Sequence, residues 1–532
     1  MRNARRLALL LTALTATACG RCGSRPPPPV ERFVAADSAV TLVIPTLEGF
    51  ARQSSDVLGT ASTFPFGTTV RDARSVLAGR LGFDPFDAAA VAAAGLDPKR
   101  GLALSGRSGP RGPNAPDVVL SLPVGGVEKL EATLSSMAKE RLEATERTVE
   151  PGTPEVIVWR TNTGGPIVLA YAIVERTALL SAGEAAVAAV RAAAAVPAGA
   201  TLAELPAYQR ASKALADGLA AKVFVPAGSP ALQDLAQFKD GLAIGLRGAP
   251  DRLGISAAVP LGAREAALKA AVAGGRSAAL LGQLDPAAVL VVRGEGTAGS
   301  ATDPAELSAA LALQNIPGAA GALVTDFVGS LAGSSAMAVS VLPQQGKPAQ
   351  LQAEPLRLFT AEILLSLSDP ARMTAAIQRA VDELSGGAKG KAKLAVGRNP
   401  WRFPVAGGEV AASVADGKLA LAVGPAKTLE ALLARSGSGF KGPTAASDEA
   451  LRSPTGGLFL DVPRLAAAVK ALPEAAFGPG QQGVMLKSMA DQWATSAERI
   501  SAVSLASGLV EGFARGELLI EVRPAGAAPA PK

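Results

Sequence analysis

Apolar and polar positions alternate in short runs along this chain, and the runs recur twice in the same order. Val118-Val119-Leu120-Ser121-Leu122 reads as a strand and precedes a stretch with Leu130, Leu134 and Met137 at helical spacing. Ile363 to Leu367, followed by Met373, Ile377 and Val381, is written the same way, at a period of about 240 residues. Trp159-Arg160, a short loop and Gly164-Gly165 match Trp401-Arg402, a slightly longer loop and Gly407-Gly408. Strand-like Ile167–Ile173, a turn at Glu175-Arg176 and Thr177–Gly183 match Val410–Val414, Asp416-Gly417 and Lys418–Gly424. Asp-Gly between apolar runs is a hairpin signal. Helices are predicted next over Glu184–Ala194 and Pro425–Ala434, and strands over Val223-Phe224-Val225 and Leu458-Phe459-Leu460. Each half closes on two strands: Leu242–Leu246 with Gly254–Val259, and Ile500–Leu505 with Glu511–Val522.

Strands in hairpin-connected runs, interrupted by helices, predict an α+β fold. We expect two tandem homologous domains, at 33–262 and 284–524, each a mainly antiparallel sheet with helices packed on one face. Ala263–Gln283 is Ala-rich and helix-prone and is expected to join them. A length of 532 residues fits this division, because single cores rarely grow so large. The duplication either enlarges a scaffold, the simpler reading, or creates a groove between the halves.

The N-terminus departs from the repeat. Arg2, Arg5 and Arg6 precede the apolar run Leu7–Thr17, which is too short to span a bilayer and has the layout of an export signal over residues 1–18. Small residues Ala16 and Ala18 lead to Cys19. Pro26–Pro29 is a stiff polyproline run, and residues 19–32 read as a tether. Residues 525–532 read as a disordered tail.

Composition changes the picture mainly by exclusion. The chain has no histidine, which removes imidazole acid–base catalysis, His-activated nucleophiles and His-bearing zinc sites. Two cysteines, Cys19 and Cys22, exclude a disulfide scaffold, and their CxxC spacing at the edge of an export signal speaks against redox chemistry. The formal charge falls from +6 to +3 when Arg2, Arg5 and Arg6 leave, so nucleic-acid binding is not expected.

The candidate motifs are weak. Gly294-Glu295-Gly296-Thr297-Ala298-Gly299 follows a strand, but the next helix is expected to start only at Asp303-Pro304, too late for a dinucleotide site. Ser136-Met137-Ala138-Lys139 matches SxxK without a KTG partner. Asp84, Asp87 and Asp97 read as turn and cap residues. Trp159 and Trp401 either line a site or anchor two equivalent sheets, the latter being preferred. Ser105–Pro116, with Arg107 and Arg111, and Ser385–Pro400, with Lys389, Lys391, Lys393 and Arg398, read as solvated basic loops that could meet anionic polymers or lipid headgroups. No catalytic, cofactor or metal residue is expected.

The order charge, apolar run, Ala18-Cys19 resembles the lipobox of bacterial lipoproteins. The resemblance implies that Cys19 becomes the acylated mature N-terminus, and Gly20 in place of aspartate implies an outer-membrane destination. Gly82-Phe83-Asp84-Pro85 and Ala94-Gly95-Leu96-Asp97-Pro98, followed by Gly101-Leu102-Ala103-Leu104, resemble Ala-rich envelope lipoproteins of high-GC Gram-negative bacteria. That resemblance implies no known activity and no functional residues. The expectation is a non-enzymatic, lipid-anchored envelope protein with a scaffolding or interaction role, contacting the membrane through acyl chains on Cys19. The alternative is a carrier of an apolar, lipid-like ligand in a groove of the duplicated domains; a hydrolase working without histidine stands third.

Overall fold

The computed structural model describes residues 27–61, 67–109, 112–232, 238, 240–296, 318–342, 354–387, 398–436, 439–478 and 480–523. The signal, Cys19, Cys22, Arg111, Asp303, Pro304, Lys389, Lys391, Lys393 and the tail 525–532 lie outside the described residues.

The fold is α+β, built on one antiparallel sheet of 19 strands. The first half contributes β1 (Val40–Ile44), β2 (Leu102–Gly109), β3 (Gly112–Pro123), β4 (Glu146–Glu150), β5 (Val156–Arg160), β6 (Ile167–Val174), β7 (Thr177–Ser181), β8 (Ala221–Val225), β9 (Leu242–Ala249) and β10 (Arg252–Pro260). They lie in the order 4-5-6-7-3-2-1-8-9-10. The second half contributes β11 (Leu290–Glu295), β12 (Leu331–Val341), β13 (Phe359–Leu367), β14 (Trp401–Val405), β15 (Gly408–Ala415), β16 (Lys418–Gly424), β17 (Gly456–Leu460), β18 (Ile500–Val510) and β19 (Phe513–Val522). Their order, 14-15-16-13-12-11-17-18-19, repeats that of the first half from β5 onward.

The expectation of one sheet per half needs correction. β10 pairs with β19 from Arg252↔Glu521 to Pro260↔Phe513, and the two sheets run on as one. Laying hairpin β9–β10 on β18–β19 brings Arg252 onto Phe513 and Ser256 onto Glu517. Ser256 and Glu517 are themselves paired, so a local twofold relation passes between them. An unpaired outer strand is an open row of donors and acceptors, and here each half closes the other's.

Helices also cover both faces rather than one. On the face that carries Trp159 and Trp401 lie α1 (Leu47–Ala61), α2 (Gly67–Leu81), α3 (Ala88–Ala93) and α4 (Val127–Ser136) of the first half, and α8 (Gly318–Gly329) and α9 (Pro370–Gly387) of the second. On the other lie α5 (Ala186–Ala194) and α6 (Pro206–Ala214), then, after α7 (Glu265–Ala273) in the connecting stretch, α10 (Thr428–Ala434) and α11 (Ala445–Leu451). The strands explain this. Val156 and Val158 of β5 pack under α5 while Trp159 packs under α4, and all five residues of β7 are buried. Runs apolar on both sides need cover on both sides. Two further helices, α12 (Val462–Ala471) and α13 (Gly480–Ala497), stand between β17 and β18, where the first half has only residues 226–241.

Local chemistry sets the turns. Asp416 (φ 50°) and Gly417 (φ 69°) form the expected two-residue hairpin, with Ala415 opposite Lys418. Glu175 and Arg176 hold the same left-handed pair at φ 49° and 60°. Gly417 has open space around its Cβ position, so Gly417→Val is expected to cost only the backbone strain, about 1–2 kcal/mol, read as a lowered urea midpoint. The predicted caps hold: Asp87 accepts from Ala89 N at 2.8 Å, Asp84 from Phe86 N at 3.0 Å and Asp97 from Lys99 N at 3.1 Å. Burial works to raise the Asp84 carboxyl, but Arg74 and the Phe86 N–H outweigh it and hold it below its usual value. Ser105–Pro116 is not a loop: Ser105 to Gly109 and Gly112 to Pro116 prolong the β2–β3 hairpin, with Arg107 opposite Asp117.

Candidate interaction surface

α12 and α13 form an antiparallel pair beside the end of β18. Asp461 caps α12 by accepting from Arg464 N at 3.0 Å, and Pro463 stands in its first turn. Gly478 (φ 121°) and Gly480 (φ 66°) turn the chain into α13. The pair packs through small side chains, with Val462 and Ala466 of α12 against Ala494 and Ala497 of α13. Gly483 is also buried, and a Cβ there would sit 2.2 Å from Gly478 O.

The bulky apolar residues of α13 therefore point the other way. Val484, Met485, Leu486, Met489 and Trp493 are all exposed, Met489 by 59% and Trp493 by 47%. A surface helix normally buries its large apolar stripe and wets its small or polar face; α13 does the reverse. The cations of α12 and α13 are paired: Lys487 with Asp491, Lys470 with Glu498 at 2.6 Å, and Arg464 with Asp461 at 3.2 Å. The region offers an apolar surface with little net charge.

Among the described residues, hollows occur beside α12 and along the β10–β19 seam on the other face. One of about 370 Å³ lies between α12 and the ends of β11 and β12, lined by Val289, Val341, Leu342, Leu358, Ala467 and Ala468. Two more flank the β10–β19 seam at matching places in the two halves. The hollow beside α6, about 360 Å³, has Phe224, Ala243, Ala258 and Phe513 below and Arg210, Asp240, Glu265 and Glu511 around it. The hollow beside α11, about 290 Å³, is lined in part by Arg247, Glu449, Arg515 and Glu517. Glu517 bonds Arg247 and Arg515 there, the latter at 2.7 Å.

The residues singled out in the sequence take structural positions. Trp159 and Trp401 are buried near opposite ends of the sheet, under α4 and α9, and are not brought together. Trp401 donates to Gln378 at 2.9 Å; Trp159 lies beneath the Lys139 ammonium at 5.6 Å from the ring centre. The SxxK lysine thus covers a core tryptophan. Arg107 pairs with Asp37 at 2.9 Å on the exposed hairpin.

Gly294 and Glu295 belong to β11, and Thr297–Gly299 lie outside the described residues. The Glu295 carboxylate is buried and accepts from Ser277 N at 2.7 Å and Ser334 Oγ at 2.6 Å. Arg293 beside it is held below its usual range by burial, partly countered by the Glu295 charge. A second buried carboxyl, Glu362, is raised by burial although Arg435 binds it at 2.7 Å. Burial likewise lowers Lys222 and raises Tyr208, whose ring faces the Lys222 ammonium at 5.3 Å. These groups are locked in packing rather than aimed at a shared reactive point.

α13 was not singled out in the sequence. Its signal is there: Trp493 is the one tryptophan of three without a repeat partner, in a segment the first half lacks. Among the described residues no cluster of three or more acidic or cysteine side chains is placed to hold a metal, and no helix is long and apolar enough to cross a membrane.

No protein-family model matches this chain, and no curated protein matches it. Among solved structures, crystal forms I, III and IV of TP0453 align with 44–45% of this chain and 80–81% of theirs, at 8–10% identity and a TM-score of 0.24. A likeness that low carries neither the fold nor a function.

Proposed function

We propose that the chain is a non-enzymatic envelope lipoprotein, held at the outer membrane by acyl chains on Cys19, whose body serves as a scaffold or interaction platform. Its two halves are read as copies of one α+β design, a reading supported by the repeated strand order. The observation that carries the interaction role is α13: its small residues face the protein and its large apolar ones face outward. The polar groups within reach of a reactive role are instead held in packing, which favours a binding surface over a catalyst. A carrier role is the second reading, favoured by the apolar hollow beside α12.

The proposed tether would span residues 19–27. Val30 and Phe33 are buried, and Pro28 O accepts from Arg100 at 2.7 Å, so the body begins near Pro28. Intact-mass measurement of the mature chain is expected to give a polypeptide starting at Cys19 plus a glyceride and acyl chains. Cleavage elsewhere, or an unmodified Cys19, would sink the anchor.

A further inference from the structure

We infer that α13 is a second membrane contact, which lays Met485, Leu486, Met489 and Trp493 into the interfacial layer of the bilayer that holds the anchor. The inference deepens the anchored-platform reading and rests on it for the identity of that bilayer.

The first support is chemical. A tryptophan beside two methionines and a leucine on one exposed helical stripe suits the boundary between headgroups and acyl chains, where an aromatic ring with one polar edge is best placed. The cations of α12 and α13 themselves are already bound to carboxylates, so the surface would enter lipid by its apolar side chains rather than by attraction to anionic headgroups. Nor does it have the scale of a protein interface. Four residues fall well short of the ~20–30 a side that a stable protein–protein contact uses.

The second support is geometric. Pro28 is tied to Arg100, which leads into β2 at Leu102. The registers Leu102↔Ile44, Lys222↔Val43, Leu246↔Ala221, Arg252↔Ala249, Glu521↔Arg252 and Val522↔Ile500 place the start of β18 at that same end of the sheet. α13 ends at Ala497, just before Ile500, and Trp493 lies four residues, about 6 Å of helix rise, earlier. From β2 to β18 there are six strand spacings, about 29 Å. The nine residues from Cys19 to Pro28 can reach about 30 Å. One bilayer can therefore take both the acyl chains and the stripe, and anchoring would make the second contact effectively intramolecular.

The test uses the mature protein isolated from membranes, reconstituted in phosphatidylcholine vesicles with or without bromine on the shallow acyl carbons, which quenches tryptophan only on contact. Trp159 and Trp401 are buried in the body, so Trp493 is the reporter. We expect brominated lipid to remove roughly a third of the emission, the share of one tryptophan in three, and Trp493→Phe to abolish that loss. Met485→Gln with Met489→Gln is expected to cut the quenching at least about twofold, and raising salt from 0.1 to 1 M to leave it unchanged. An acylated protein with unquenched Trp493 overturns the inference and leaves the anchor standing. Quenching in a chain whose mass shows no acyl group retains the contact and removes the anchor. Quenching abolished by salt, or Trp493 shielded without lipid in a chain of doubled mass, also overturns it, the last by giving the stripe to a second copy.

Discussion

Gly95→Val is expected to destabilise the protein by about 3–5 kcal/mol, read as a large drop in the urea midpoint followed by tryptophan fluorescence. Gly95 has φ +86°, which an L side chain rarely adopts and a β-branched one resists most. A Cβ there would also lie 2.3 Å from Leu130 N and 2.8 Å from Gly126 O, both main-chain atoms that cannot swing aside. The Gly95 carbonyl accepts from Gly125 N at 2.9 Å and Gly126 N at 3.0 Å, so this residue seats the N-terminus of α4. α4 in turn places Leu130 and Leu134 in the cluster around Trp159. Gly82 is the control. It too has a left-handed backbone, φ +79°, but nothing lies within 4 Å of its Cβ position. Gly82→Val should cost the strain alone, about 1–2 kcal/mol. Equal effects of the two substitutions would remove the close-approach argument.

This pair shows what kind of information the sequence carries. Ala94-Gly95-Leu96-Asp97-Pro98 is recognisable as a pattern, and its turn chemistry is legible: Asp97 accepts from Lys99 N as an aspartate before proline should. That Gly95 is where α4 touches down is a tertiary fact, invisible until the helix is in place. Hairpins were legible for the same local reason. Asp416-Gly417 demands a left-handed pair, and the alternation on either side sets the register. Strands whose two faces are both apolar gave no such guidance. Val156-Ile157-Val158-Trp159 does not say which side the helices take, and they take both.

Two larger features depend on partners far away in sequence. β10 and β19 read like any closing strand, because an edge that pairs and an edge that faces water differ little in alternation; only the assembled sheet joins them. α13 carries apolar residues at helical spacing, which ordinarily predicts a buried stripe. Ala494 and Ala497 reverse it by letting α12 approach closely, and Gly483 by letting the turn at Gly478 approach, which leaves the large residues outside. Conversely, the matched tryptophans stand at corresponding places in the strand order, on β5 and β14, yet the sequence pattern could not tell a lining residue from a core one. Burial decides that, and both are core.

Arg293→Met is expected to destabilise the protein by about 3–5 kcal/mol, because it leaves a buried carboxylate without its cation. The Arg293 and Glu295 side chains are only 2% and 5% exposed, 3.7 Å apart, with Ser277 Oγ between them accepting from Arg293 at 2.5 Å and donating to Glu295. The guanidinium also donates to Leu451 O and Ser453 O at the end of α11. One arginine thus ties Ser277 of the connecting stretch, the C-terminus of α11 and strand β11 together. Methionine fills similar volume but satisfies none of these acceptors. If the penalty comes from the stranded charge, Glu295→Gln in the same chain should recover much of it, since the glutamine oxygen can accept from Ser277 N and its NH2 can donate to Ser334 Oγ while the side chain carries no charge. Glu295→Gln alone should also destabilise, by leaving Arg293 uncompensated. A double-mutant cycle in urea measures the coupling, expected to be about 1–3 kcal/mol. A double variant no more stable than Arg293→Met would place the loss in the abandoned carbonyls of α11 instead, and hydrogen exchange at Leu451 to Ser453 would then rise as much in the double variant as in the single one.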